Sequence, residues 1–303
     1  MEARALAMLA RIGDQLDQHV FPCVANGGLV VLSESTVSST QSTERNHGRR
    51  KNRGPAAGSR QRTTRREGSS SGGTRPAGDA TSVIGAGLRA QYEPQLSALG
   101  THYPGAQFWY QDDGVWLLTP STLLLGLDQH AIFMTGVSFS VRRVLSWAFW
   151  AHPLVYFEWI GPRHTNFPDG SICAFEPTDG TWEFGDPLVR LLDIYTLWAV
   201  RHLYLRQFGR WPGHQSIHFA GERLLELRGD EHCGCANSDL LYADCCMPRD
   251  MAGDRIGHLL DFHWKTGGTR KPPEAVVGFA RSRKQLPDLS KLISAWGVGE
   301  VKK

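Results

Sequence analysis

The chain has 303 residues, a net charge of +3, and 41% hydrophobic and 10% aromatic residues. That is enough apolar material for one large packed domain or two small ones. The slight positive charge does not point to nucleic acid as a partner. No membrane span is expected, because Asp128, Arg142-Arg143 and Glu158 break the apolar stretches short of the roughly 18 residues a span requires.

Glu2 and Arg4 leave no apolar secretory signal over residues 1–10, so a cytoplasmic setting is expected. Residues 1–33 form an N-terminal helical segment in which Leu9, Ile12 and Leu16 share one helical side, followed by an apolar run at 28–32. Its relation to the rest is open from composition. Residues 34–82 differ in kind. They are rich in Ser, Thr, Gly and Arg, with Arg49-Arg50-Lys51, Arg60 and Arg65-Arg66 and almost no large apolar side chain. Such a stretch cannot bury enough surface to offset its ordering entropy, so a disordered basic linker is expected.

A folded unit is expected over 83–228. It opens with a helix over 84–99 that ends at Gly100. Short apolar runs then read as strands at 107–111, 115–119, 131–141 and 154–160, with Asp113-Gly114 as a hairpin signal. A long helix follows, with Asp186 as N-cap and Pro187 at the first helical position. Leu188, Leu191, Leu192, Tyr195 and Ala199 carry its period, and Gly209 ends it.

Between the last strand and that helix lies the run Arg163-His164-Thr165-Asn166-Phe167-Pro168-Asp169-Gly170-Ser171-Ile172-Cys173, with Trp182 nine residues on. It combines a thiol, a side-chain amide that donates without titrating, and a Pro-Asp-Gly turn that folds one back toward the other. Asn is also a common turn residue, so Asn166 has a plain turn-capping alternative. A buried structural role is the bland alternative for Cys173.

The run resembles the active-site segment of ubiquitin-conjugating enzymes, which reads His-Pro-Asn, a turn, Gly-Ser-Ile-Cys and then Trp. Thr165 stands where that pattern has Pro, and the loop is about one residue shorter. In both respects it is similar to bacterial ubiquitin-conjugating-like proteins of anti-phage operons. The resemblance implies an α+β ubiquitin-conjugating-like fold: a helix, an antiparallel strand meander, then C-terminal helices. It further implies Cys173 as the thioester-forming nucleophile, Asn166 as oxyanion donor or loop support, and His164 as scaffold.

Residues 229–250 hold Cys233, Cys235, Cys245 and Cys246, four of the six cysteines within fourteen positions. Four soft thiolates suit tetrahedral zinc, and a closed four-ligand site is structural. Reactive thiol pairs or a Cys245-Cys246 disulfide are the alternatives. The spacing resembles the SEC-C motif, Cys-x-Cys-x-Ser, Tyr, Cys-Cys, with Ser238 and Tyr242 at the intervening positions. The basic residues usual between Ser and Tyr are Asp-Leu-Leu here. Residues 251–303 read as a C-terminal helical extension. Cys23 reads as a plain apolar residue.

The remaining candidates carry less. The 209–213 turn holds Arg210 and Trp211 and reads as a helix-ending turn with a packed Trp. His258, Asp261 and His263 lack a second cluster to complete a metal site. Lys265, Arg270 and Lys271 make a mild basic patch, and Arg281, Arg283 and Lys284 a solvated helix face.

Taken together, the resemblance implies an enzyme, a cysteine-dependent transferase with an appended structural Zn2+ knuckle. Its acyl donor would be a ubiquitin-like protein or the C-terminus of a cyclic-nucleotide synthase, and its acceptor a protein lysine. No Gly-rich nucleotide loop is visible, so the donor must arrive activated. A thiol hydrolase using Cys173 with His164 as base, and a non-catalytic zinc-containing adaptor, are the rival expectations.

Overall fold

The computed structural model describes residues 3–33, 78–125, 130–151, 157–176, 179–235, 239–268 and 270–297. It is a mixed α+β structure. In chain order the elements are α1 (Ala3–Asp17), β1 (Cys23–Ala25), β2 (Leu29–Val31), α2 (Gly78–His102), β3 (Gln107–Gln111), β4 (Gly114–Ser121), β5 (His130–Ser138), β6 (Arg143–Ala151) and β7 (Phe157–Trp159). Then come α3 (Leu188–Phe208), α4 (Ala220–Glu226), a 3-10 turn at Tyr242–Asp244, α5 (Met247–Ala252), α6 (Arg255–Thr266), α7 (Glu274–Ser282) and α8 (Leu289–Gly297). Among the described residues no helix is long and apolar enough to cross a membrane.

Strands β3 to β7 form a five-stranded antiparallel meander in sequence order. The side-chain period of two sends alternate residues to opposite faces, and here both faces are covered. Val115, Leu117, Phe133, Val137, Ala148 and Trp150 enter one core, which α1, α2 and α3 close. Trp116, Leu118, Met134, Leu145, Trp147 and Phe149 enter a second, closed by Val276, Phe279 and Ala280 of α7 and Leu289 and Ile293 of α8. A Cβ on Gly136 would lie 2.6 Å from a Leu289 methyl, so this glycine admits α8 to the sheet.

Burial on both faces explains an omission. The sequence reading found β3, most of β4 and β5, and a run containing β7, but not β6. Arg143–Ala151 is Arg-Val-Leu-Ser-Trp-Ala-Phe-Trp-Ala, an almost continuous apolar run with no alternation to mark it. It pairs along its whole length with β5 and carries the short β7 on its other side. The first hairpin joins Gln111 to Gly114, so its loop residues are Asp112 and Asp113. Asp113 then accepts hydrogen bonds from the Ser138 and Ser140 hydroxyls at 2.8 and 2.7 Å, which ties that hairpin to the next.

The N-terminal segment joins the same core as the sheet. Ala5, Leu9, Ile12 and Leu16 are buried there with residues of α3. A Cβ on Gly13 would sit 2.1 Å from the Tyr204 ring, so α1 and α3 approach as closely as backbone allows. Strand β2 is anchored by the Val30 N–H donating to the Leu123 carbonyl at 2.7 Å. Residues 34–77 of the expected linker lie outside the described residues. Its last five, 78–82, belong to α2, which also runs through Gly100 to His102. Gly100 is exposed with open space around it, and the helix stops at Tyr103 before Pro104, which cannot continue it.

Helix α3 is buried on nearly every side, which is why its apolar residues run around the helix rather than along a stripe. Its stop is as expected, with Gly209 left-handed at φ 71° and its N–H on the Leu205 carbonyl. Its start differs. Pro187 holds the N-cap position, and Asp186 instead accepts from the Glu183 N–H at 3.1 Å. The first free helical N–H, of Leu188, donates to Gln95 Oε1 on α2 at 2.9 Å. A tertiary amide thus replaces the local cap.

Candidate active site and metal centre

Residues 163–173 form a tight antiparallel loop against β6. Thr165 pairs with Ile172. The Asn166 N–H donates to the Ser171 carbonyl at 2.7 Å and the Cys173 N–H to the His164 carbonyl at 3.0 Å. The Ile172 N–H donates to the Ser146 carbonyl at 2.7 Å, which docks the loop on the sheet. Its tip is held by Trp147 Nε1 on the Asp169 carbonyl at 2.8 Å. Gly170 is left-handed, with φ 64°, and a Cβ there would meet the Trp159 ring at 2.8 Å. Turn chemistry and two tryptophans therefore fix the backbone that carries the thiol.

Asn166 takes the loop-supporting alternative. Its side-chain amide donates to Ser171 Oγ at 3.1 Å and to the Ile172 carbonyl at 3.0 Å. Both amide hydrogens are thereby engaged inside the turn. The Ile172 carbonyl belongs to the peptide unit shared with Cys173, so the amide steadies the backbone that carries the thiol. An oxyanion role would require the amide to leave Ile172.

His164 is held as a scaffold would be. It occupies the left-handed region at φ 50°, its ring packs 4.3 Å from Trp211, and Nε2 lies 3.0 Å from Gln215 Oε1. Its carbonyl accepts from both Cys173 and Trp198 Nε1, the latter at 2.9 Å. Burial first, and then the Arg163 guanidinium, hold its pKa well below the ordinary histidine range, so the ring is neutral. Arg163 itself is buried against Glu231, at 3.0 Å from Oε1, and donates to Gln215 at 2.8 Å.

Cys173 is half-buried and borders a cleft of about 560 Å3. His164, Glu176, Trp198, Arg201 and His214 are among the other walls. Burial pushes the thiol up to about 11; the charges of Glu222 and Glu176 add to this, and Arg270 opposes it. The resting group is a thiol, not a thiolate. Glu222 and Arg270 were not singled out from sequence as site residues. Arg270 is buried, 3.2 Å from Glu222, ion-paired with Glu226, and its guanidinium lies 4.2 Å over the Phe167 ring. It is therefore not part of a basic surface patch. Burial raises the Glu222 pKa above the usual carboxylate range. No local signal marks either residue, because both reach the loop from distant segments.

The four cysteines converge. Their sulfurs all lie within 4.8 Å of one another, with Cys235 and Cys245 at 3.5 Å and Cys245 and Cys246 at 3.8 Å. Zinc–sulfur bonds of about 2.3 Å put tetrahedral sulfurs about 3.8 Å apart, so the set fits a four-thiolate metal ion. A small hairpin creates it: the Cys233 N–H donates to the Leu240 carbonyl and the Tyr242 N–H to the Glu231 carbonyl. Tyr242 is buried and donates to Asp250, which also pairs with buried Arg223 at 2.7 Å. Arg249 reaches Cys246 Sγ at 3.2 Å and would offset part of the thiolate charge. Ser238 lies outside the described residues.

Cys23 is exposed rather than packed. His258, Asp261 and His263 do not form a ligand group among the described residues; Asp261 pairs with Lys265 at 2.8 Å. Trp182 and Trp211 are buried. Of the solvated-face candidates, Arg281 is on α7 and Arg283 is its left-handed cap.

Comparison with protein-family models, curated proteins and solved structures returned no match.

Proposed function

We propose that the protein is a ubiquitin-conjugating-like transferase that carries an acyl group on Cys173 and passes it to an amine. The observation that carries this reading is the environment of the thiol. It is held on a fixed loop beside an open cleft, with Glu176 on the same cleft wall. The order of a helix, an antiparallel meander, a cysteine loop and a long helix supports the fold half of the reading.

The chemistry follows from these groups. In loading, the Cys173 sulfur bonds to the acyl carbon of an activated thioester donor, the donor's C–S bond breaks, and the Cys173 proton leaves with the donor thiol. In discharge, a neutral amine attacks the acyl carbon, the bond from Cys173 Sγ to that carbon breaks, and the proton lost by the amine passes to the departing sulfur. Glu176, a carboxylate on the cleft wall, is suited to draw in the ammonium form of the acceptor.

The histidine on the loop disfavours a hydrolase. A hydrolytic cysteine commonly forms an ion pair with a protonated histidine. Here the only histidine on the loop is buried and neutral, with Nε2 at Gln215. The zinc knuckle would be structural, the donor a ubiquitin-like protein or the C-terminus of a cyclic-nucleotide synthase in an anti-phage system, and the acceptor a protein lysine.

Incubation with a preformed ubiquitin-like thioester donor tests this. The expected result is a thiol-reducible adduct on Cys173, a longer-lived oxyester in Cys173→Ser and none in Cys173→Ala. Donor turnover to free acid without an adduct, or an adduct undiminished in Cys173→Ala, would overturn it.

A further inference from the structure

We propose a second metal site, for a divalent ion of zinc-like character, formed by His19, His214 and Asp239 at the edge of the Cys173 cleft. The three residues come from separate segments: the turn after α1, the loop after α3, and the hairpin of the cysteine knuckle. One ligand atom from each lies within 4.8 Å of the others.

The spacing indicates an ion rather than direct bonding. His19 Nε2 and His214 Nδ1 both stand 3.9 Å from the same oxygen, Asp239 Oδ1. That is beyond hydrogen-bond reach. Two metal–ligand bonds of about 2.0–2.1 Å set end to end span about 4.1 Å, and at a tetrahedral angle about 3.4 Å. A contraction of about half an ångström would bring both histidine–aspartate separations to that tetrahedral value. Asp239 and His19 have mostly exposed side chains and are free to make it, with 87% and 59% of their surface accessible.

A further observation points the same way. His19 sits in the left-handed region at φ 59°, with its N–H on the Leu16 carbonyl, so the end of α1 turns sharply there and brings its ring to the cleft. The His19 and His214 ring centroids are 3.7 Å apart, so sharing one ion requires the exposed His19 ring to swing out of this stack. Two imidazoles and one carboxylate are a borderline nitrogen–oxygen set that leaves a fourth position open. A bound ion would tie the N-terminal segment to the cysteine knuckle across the cleft edge.

The test is zinc stoichiometry on the full chain, by equilibrium dialysis against zinc chloride. The four-cysteine centre serves as the internal control for folding. Two equivalents are expected for the native chain, and one for His19→Ala, His214→Ala and Asp239→Ala. Cobalt substitution separates the two sites, because the four-thiolate centre gives sulfur-to-metal charge-transfer bands and the histidine site does not. One equivalent in the native chain, or two in His19→Ala, whose side chain is exposed and dispensable for folding, would overturn the proposal. The result does not depend on whether Cys173 carries an acyl group.

Discussion

The side-chain amide of Asn166 donates to the carbonyl of Ile172 at 3.0 Å, on the peptide unit that bears the Cys173 N–H. The amide therefore acts on the Cys173 thiol through the backbone. Its partner Ser171 is itself held, since the Ser171 N–H donates to Asp169 Oδ1 at 3.0 Å. Rigidity of the loop and placement of the thiol are one property here.

Asn166→Ala should consequently cost stability as well as activity. Removing the donor leaves a partly buried carbonyl unsatisfied, at about 1–3 kcal/mol. Urea unfolding should show a lower midpoint at constant slope. Asn166→Asp should behave similarly, because a carboxylate cannot donate to Ile172. Unchanged stability with slowed discharge alone would instead assign Asn166 to the oxyanion.

Alkylation of Cys173 should be slow at neutral pH and keep rising toward a midpoint of about 11. Glu222→Gln should shift the profile to lower pH by removing a negative charge, and Arg270→Gln to higher pH by removing a positive one. Because the folded pKa is raised, the thiol's stabilising effect is present below the unfolded thiol range. It is lost as pH rises toward the folded value. Iodoacetamide labelling read by peptide mass spectrometry measures this; a plateau near neutrality would show an activated thiolate.

One zinc should resist dialysis in the four-cysteine centre. Cys235→Ser should lose it and expose Tyr242, which is buried beside the cluster. Strong chelation should likewise release that residue and lower the melting temperature, because in small knuckles binding energy is folding energy. A metal-free chain with an unchanged melt would refute this.

Glu231→Gln should be among the most destabilising single changes. Glu231 is fully buried and accepts from Arg163, from the Trp211 N–H at 2.7 Å and from the Arg228 N–H at 3.2 Å. Neutralising it leaves the buried Arg163 charge unpaired, at about 3–5 kcal/mol. Circular dichroism melts of the variant against Glu231→Asp should separate loss of charge from loss of reach.

Leu289→Ala should loosen α8 from the second core. The side chain is buried against Gly136 and the Trp116 ring, and comparable truncations cost about 2–5 kcal/mol. Trp116 Nε1 also donates to the Pro287 carbonyl at 2.9 Å, so both the packing and this bond are at stake. A red-shifted tryptophan emission and increased dye binding should report exposure of that sheet face. Native-like emission would mean that α8 contributes little.

Local chemistry made several features legible in the sequence. Leu9, Ile12 and Leu16 mark the buried face of α1, Gly209 ends α3, the Pro-Asp-Gly turn forms beneath Cys173, and the four cysteines lie close enough to share one ion. Each depends on residues within a few positions or turns of one another, so period and spacing suffice to read them. Contacts between distant segments were decided only in three dimensions. Strand β6 was not legible because helices cover both faces of the sheet, which erases the alternation a strand normally displays. Gln95 replaced Asp186 as partner of the first α3 N–H because α2 lies alongside. Glu222 and Arg270 set the Cys173 thiol from opposite signs, and His19, His214 and Asp239 meet at one point. Such convergence is set by how the packed elements cross. Electrostatic and coordination forces depend on separation in space, and separation along the chain does not fix it.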